Sequence, residues 1–110
     1  MILVNKYILR ILTGEFASAI TLWPFIFLRE QRYAKDPILI NHEKIHLKQQ
    51  LETLIVFFYL IYGYEYLRNR FRGMDSRRAY FLIRFEQEAY QFEKDLLYLS
   101  KRKMFAWLNI

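Results

Sequence analysis

Between Pro37 and Gly63 the chain contains neither glycine nor proline, and Asp36-Pro37 opens the stretch with a capping carboxylate and a proline suited to a first helical turn. The stretch reads as one long helix running through His42 and His46 towards Tyr62, with Ile38, Ile45, Leu51, Leu54 and Ile55 available for a buried face. It carries both of the chain's histidines. Any imidazole chemistry therefore belongs to this one element.

Asn41-His42-Glu43-Lys44-Ile45-His46 contains the pattern H-E-x-x-H. In a helix, side chains four residues apart stack on one face, so both imidazoles can reach one zinc ion. Zinc acidifies its water towards a pKa of about 7, and a neighbouring carboxylate, here Glu43, can take up the proton as general base. The chain has no cysteine, so a transition-metal site must be built from histidine and carboxylate. Because the pattern fixes only three positions, its alternative is a polar helix face with incidental histidines.

A catalytic zinc takes a third protein ligand and keeps one position open. Arg84-Phe85-Glu86-Gln87-Glu88-Ala89-Tyr90 supplies two candidates. Glu86 and Glu88 stand about 200° apart around a helix, so one can face the ion while the other faces away. Tyr90, one turn beyond Glu86, could donate a hydrogen bond to an oxyanion or pack as one more aromatic.

The remaining segments are short. Met1 to Leu12 can form a strand or a helix and is stopped by Gly14. From Ala17 to Arg29, branched and aromatic residues around Pro24 predict two short strands or one bent edge segment. Glu65 to Gly73 is polar and reads as a surface connection after a break at Gly63. Asp75 or Ser76 can cap a further helix, carried by Ala79, Ile83, Phe85, Ala89, Phe92, Leu96 and Leu97 to about Ser100. The whole, residues 1–110, is one domain of α+β class, mostly helical, with a short N-terminal hairpin or sheet packed on the H-E-x-x-H helix and a second, glutamate-bearing helix.

These residues resemble the gluzincin group of zinc metallopeptidases, and the nearer likeness is to its smallest members. The resemblance rests on H-E-x-x-H at 42–46, on Gln49-Gln50 trailing it, and on Glu86-Gln87-Glu88-Ala89 matching E-x-x-A. It rests too on Ala19-Ile20-Thr21-Leu22 and Phe25-Ile26-Phe27-Leu28, which look like the family's strand hairpin. It spans roughly residues 17 to 95 and implies Glu86 as third ligand, with Glu88 in reserve. Tyr90 stands where related peptidases often carry an aspartate. A peptide or protein substrate is implied, held by an edge strand from Ile20 to Leu22 or Phe25 to Phe27.

Charge and hydropathy raise a second matter. The chain is 55% hydrophobic and 19% aromatic, and lysine plus arginine exceed aspartate plus glutamate by 17 to 11. Its apolar runs fall short of the roughly 18 uncharged residues of a spanning helix. Tyr59, Tyr62 and Tyr64 followed by Arg68, Arg70 and Arg72 resemble an interfacial segment with rings and cations at headgroup level. Lys101, Arg102 and Lys103 add a basic tail, suited to anionic lipid or nucleic acid. The aromatics sit in apolar runs and not in a basic, glycine-rich strand pattern, which weighs against nucleic acid. No small-residue cleavage site follows a clean apolar stretch, so the expected location is cytoplasmic or peripheral on the cytoplasmic membrane. Two functions are thus expected: a zinc-dependent peptidase or amide hydrolase, or a non-catalytic module of the same fold seated on a membrane or in a larger complex.

Overall fold

A computed structural model describes residues 1–110. Strand β1 (Ile2–Val4) leads into helix α1 (Lys6–Thr13), capped by the Asn5 side chain, which accepts from Tyr7 and Ile8 N–H. The N-terminal stretch thus holds both a strand and a helix, and Gly14 ends the helix at a φ of 63°. Strands β2 (Ala19–Leu22) and β3 (Phe25–Leu28) form the hairpin, turning at Trp23-Pro24. The sheet order is β1-β3-β2, with β1 parallel and β2 antiparallel to β3. Since β3 is paired on both sides, Phe25 to Phe27 cannot receive an added strand; β2 remains as a free edge.

A 3₁₀ turn (Gln31–Lys35) delivers the chain to helix α2 (Pro37–Glu52), where Asp36 Oδ1 accepts from Ile38 N–H at 3.1 Å and Leu39 N–H at 3.2 Å. The helix stops earlier than its composition implies. Leu54 and Ile55 adopt φ of 55° and 68°, and the chain reverses into α3 (Val56–Phe71). The reversal is held by bonds from Ile55 N–H to Gln50 O at 2.6 Å and from Val56 N–H to Leu54 O at 2.7 Å. The second of these closes a γ-turn centred on Ile55.

Two further expectations are corrected on α3. Gly63 lies inside the helix, and the polar residues from Glu65 to Phe71 continue it. They do so because Glu65 and Asn69, one turn apart on the inner face, find partners there. Glu65 binds Arg84, and the Asn69 amide donates to Ala79 O at 3.0 Å.

The helix predicted from Asp75 to about Ser100 is three: α4 (Ser76–Phe81), α5 (Arg84–Phe92) and α6 (Tyr98–Lys101). Asp75 caps the first through Arg78 N–H at 2.8 Å, and Ile83 is extended between the first two. The break is stabilised by Glu65 Oε1, which accepts from Arg84 N–H at 3.0 Å. The tail closes with a 3₁₀ turn (Ala106–Asn109) that buries Trp107 against Phe85.

α2 packs between β2 and α5. Its inner face is not the apolar one its sequence offered. Ile45 is fully buried, but Leu51 and Leu54 are exposed, and the inward residues are otherwise Asn41, His42, Glu43, His46, Gln49 and Gln50. Half of the 24 buried residues of the chain are polar or charged. Apolar packing is accordingly divided into three small clusters: Ala19, Ile26 and Leu28 on the sheet side; Ile45, Ala89 and Tyr98 on the α5 side; and Phe58, Ile83, Phe85 and Trp107 under α3. The polar groups of α2 lie among these clusters. No helix is long and apolar enough to cross a membrane.

Candidate metal centre

Two amides on α2 clamp α5 in register. The Asn41 amide donates to Glu93 O at 2.8 Å and Asp95 O at 3.0 Å, while Gln49 Nε2 donates to Phe85 O at 3.0 Å and Glu88 Oε1 at 2.9 Å. Between these clamps His42, His46 and Glu86 meet. The two Nε2 atoms are 3.2 Å apart, and Glu86 Oε1 lies 3.2 Å from that of His42 and 3.0 Å from that of His46. All three residues are buried.

The protons around this triangle can be assigned from its outer partners. Gln49 Oε1 can only accept, so His46 Nδ1, 2.7 Å away, donates to it. His42 Nδ1 likewise faces the Glu93 carboxylate at 3.0 Å. With both Nδ1 atoms protonated, neutral imidazoles turn two Nε2 lone pairs and a carboxylate oxygen on one point. Three acceptors about 3 Å apart repel unless a positive charge sits among them.

That charge can be a proton or a metal ion. Burial disfavours a charged His46, but Glu86 and Glu43 outweigh it and push the pKa of the metal-free imidazole up to about 9. Burial likewise opposes ionisation of Glu86, yet His46 and His42 hold its carboxyl well below the usual carboxylate range. Its place in the first turn of α5 adds a favourable helix dipole. A metal ion fits the same point. Tetrahedral zinc with bonds of about 2.0–2.1 Å spaces its donors about 3.3 Å apart, close to the separations observed. The group His42, His46 and Glu86 could therefore hold a metal ion.

Glu88 takes no part in the triangle. It is fully buried on the other side of α5, where Tyr98 and Arg102 donate to Oε2 and Gln49 and Arg102 to Oε1. Arg102 also pairs with Glu52, and its side chain is only 4% exposed. It is thus an internal cation, which corrects its reading as part of a basic surface tail.

Glu43 sits beside the triangle, with Oε2 3.8 Å from His42 Nε2. The Thr21 hydroxyl shares its proton between Glu43 O at 3.1 Å and Oε1 at 3.0 Å. Burial raises the pKa of this carboxyl. Tyr90 meets His42 edge to face at 4.5 Å between ring centroids, and its hydroxyl is paired with that of Tyr80 at 2.8 Å. It packs on the His42 ring.

Three further residues enter the site, of which only Gln49 belonged to the motif in the sequence. Tyr62 donates to Glu86 Oε2 at 2.7 Å. Glu93 orients His42, and Gln49 orients His46. Gln49 is three and seven positions after the histidines and Glu93 is seven after Glu86, so helical spacing sets them on the same faces as the ligand candidates, while their burial there depends on the partners they meet. Nothing local marked Tyr62, because it reaches Glu86 only after the chain reverses at Leu54 and Ile55. Tyr59 also turns inward, donating to Thr21 O at 3.3 Å. Tyr59 and Tyr62 therefore both line the larger cavity, Tyr59 while remaining 41% exposed.

A cavity of about 520 Å³ opens on His42, Glu43, His46 and Glu86 and is walled mainly by Leu12, Phe16, Ile20, Phe58, Tyr59 and Tyr66. A smaller cavity of about 290 Å³ reaches His42 and Glu43 past Tyr80, Tyr90 and Arg77. Comparison of the chain with family models, with curated proteins and with solved structures gave no match.

Proposed function

We propose that the chain is a small zinc-dependent metallopeptidase or related amide hydrolase of gluzincin type. His42, His46 and Glu86 would hold the ion, and Glu43 would act as general base. The observation that carries this reading is the convergence of three acceptor atoms, with their outer hydrogen bonds already satisfied, beside a fourth carboxyl that is not among them.

When bound, zinc supplies Lewis acidity, acidifying water and polarising a carbonyl. The side chains around it do the rest. Thr21 engages Glu43 Oε1 and so leaves Oε2 to accept a proton. The raised pKa of Glu43 moves it towards the working range of a base. Tyr62 fixes Glu86 through Oε2 and leaves Oε1 directed at the histidines. The Tyr80 and Tyr90 pair lines the smaller cavity, where Tyr90 is the candidate donor to a developing oxyanion.

The free edge of β2 supports a peptide substrate. Ser18 O accepts from Arg29 N–H, so by the alternation of an antiparallel ladder the peptide groups of Ala19 and Thr21 point away from β3. Thr21 O is taken by Gln50 and Tyr59, leaving the Ala19 groups and Thr21 N–H to pair with an extended chain. The larger, mostly apolar cavity beside them suits a bulky apolar side chain.

The test is metal content followed by hydrolysis. The purified chain should hold one zinc per molecule and lose it in His46→Ala. Glu43→Gln should keep the zinc and slow hydrolysis of a peptide library by about 10²–10⁴-fold. Absence of stoichiometric metal sinks the site. Metal bound without hydrolysis by the wild type leaves a non-catalytic module.

A further inference from the structure

We infer that the outer face of α3 docks on an anionic membrane surface, with the helix lying in the plane of the interface. The inference is independent of the metal centre. Val56, Phe57, Leu60, Tyr64, Leu67 and Phe71 are all exposed, from 54% for Phe57 to 89% for Phe71. At helical spacing they fall within an arc of about 100° and make a stripe about 22 Å long. Phe58, Glu65 and Asn69, on the opposite side, are buried in the protein. Leu51 and Leu54, which precede the helix, are exposed as well. Burial of one face by the protein leaves the other free to enter a lipid interface to the shallow depth of an in-plane amphipathic helix.

Charge selects the occupant. Arg68, Arg70 and Arg72 flank the C-terminal end of the stripe, and none forms an ion pair, although Arg32, Arg84, Lys101 and Arg102 elsewhere do. The Arg68 guanidinium lies 5.8 Å from the Tyr64 ring centroid at the margin of the stripe. The only carboxylate on α3, Glu65, is on the buried side and committed to Arg84. Pairing with a second copy would give these cations no counter-charge. A parallel arrangement brings arginine to arginine, and an antiparallel one sets arginine against Val56, Phe57 and Leu60. An anionic bilayer supplies both missing partners, acyl boundary for the stripe and phosphate for the arginines, and the chain's net charge of +6 acts in the same direction.

The experiment is co-sedimentation of the full chain with phosphatidylcholine vesicles and with vesicles containing 30% phosphatidylserine, at low and high salt. Binding to the anionic vesicles, weakened by salt and at least tenfold weaker on neutral ones, is expected. The variant carrying R68Q, R70Q and R72Q should lose about a hundredfold in partitioning. The variant carrying F57Q, L60Q and F71Q should lose tenfold or more; because these side chains are already exposed, its circular dichroism should match the wild type. Equal binding to neutral and anionic vesicles, or none to either, overturns the inference. So does a concentration-dependent dimer in light scattering that the apolar variant abolishes, which would assign the face to a second copy.

Discussion

His46 Nδ1 lies 2.7 Å from Gln49 Oε1, and Gln49 Nε2 is in turn engaged by Glu88 Oε1 and Phe85 O. The amide therefore cannot rotate to offer its nitrogen to the imidazole without losing two acceptors. Glu88 thus acts on the site from a distance: it does not touch the ligand triangle, but it helps decide which nitrogen of His46 faces it.

Gln49→Leu tests this orientation. Removing the acceptor should lower zinc affinity by about 10–100-fold, the usual effect of losing a partner that orients a metal-bound histidine. A chelator-competition titration measures it, with unfolding of the metal-free protein run in parallel to separate affinity from stability. Unchanged affinity would show that the packing of His46 suffices.

Zinc binding should depend on pH through His46. In the metal-free protein its pKa is about 9, above the ordinary 6.5. The proton it carries stabilises the fold below about pH 6.5, and that contribution disappears as pH rises through 9. Zinc bound at the proposed site would displace this proton, so its apparent affinity should rise about tenfold per pH unit between pH 6.5 and 8.5. A flat profile over that range would mean that His46 is already neutral.

Arg102 is enclosed by Glu88 and Glu52. Burial and these partners act in opposite directions on Glu88, and the bonds from Arg102, Gln49 and Tyr98 prevail, holding its pKa below the usual value. Arg102→Ala strands buried carboxylate charge and should destabilise the chain by about 3–5 kcal/mol in urea unfolding. Because the folded pKa of Glu88 is depressed, its contribution in the wild type is present above the ordinary carboxylate pKa and fades as pH falls below it. A cost under about 1 kcal/mol at neutral pH would contradict a buried charge network.

Ile55 holds a φ of 68° at the centre of the α2–α3 reversal, a conformation unfavourable for a β-branched residue. Ile55→Gly should relieve the strain and stabilise the chain by about 1 kcal/mol, less whatever apolar contact the half-buried side chain makes. A loss of more than about 1 kcal/mol in denaturant would show that the side chain's packing outweighs the backbone.

Much of the site was legible before the fold. The ligand spacing on α2, the cap at Asp36 and the hairpin strands Ala19–Leu22 and Phe25–Leu28 are local patterns, and helix or strand periodicity settles them without reference to distant residues. The same periodicity separates Glu86 from Glu88. What it cannot supply is which polar residues will be satisfied inside. Gln49, Gln50, Glu65 and Asn69 look like surface residues, yet each is buried because a partner from another element meets it.

By itself, then, the sequence determined that two imidazoles would stand one turn apart on a capped helix and that only one of two nearby glutamates could face them, because both statements follow from the pitch of a helix. Tertiary structure alone decided that α2 would end at Glu52, that α3 would return to bring Tyr62 onto Glu86, and that Arg102 would be drawn inside to Glu88. Each of those outcomes depends on a strained turn or a buried polar group finding its partner across the fold, and no local pattern of residues encodes that distance.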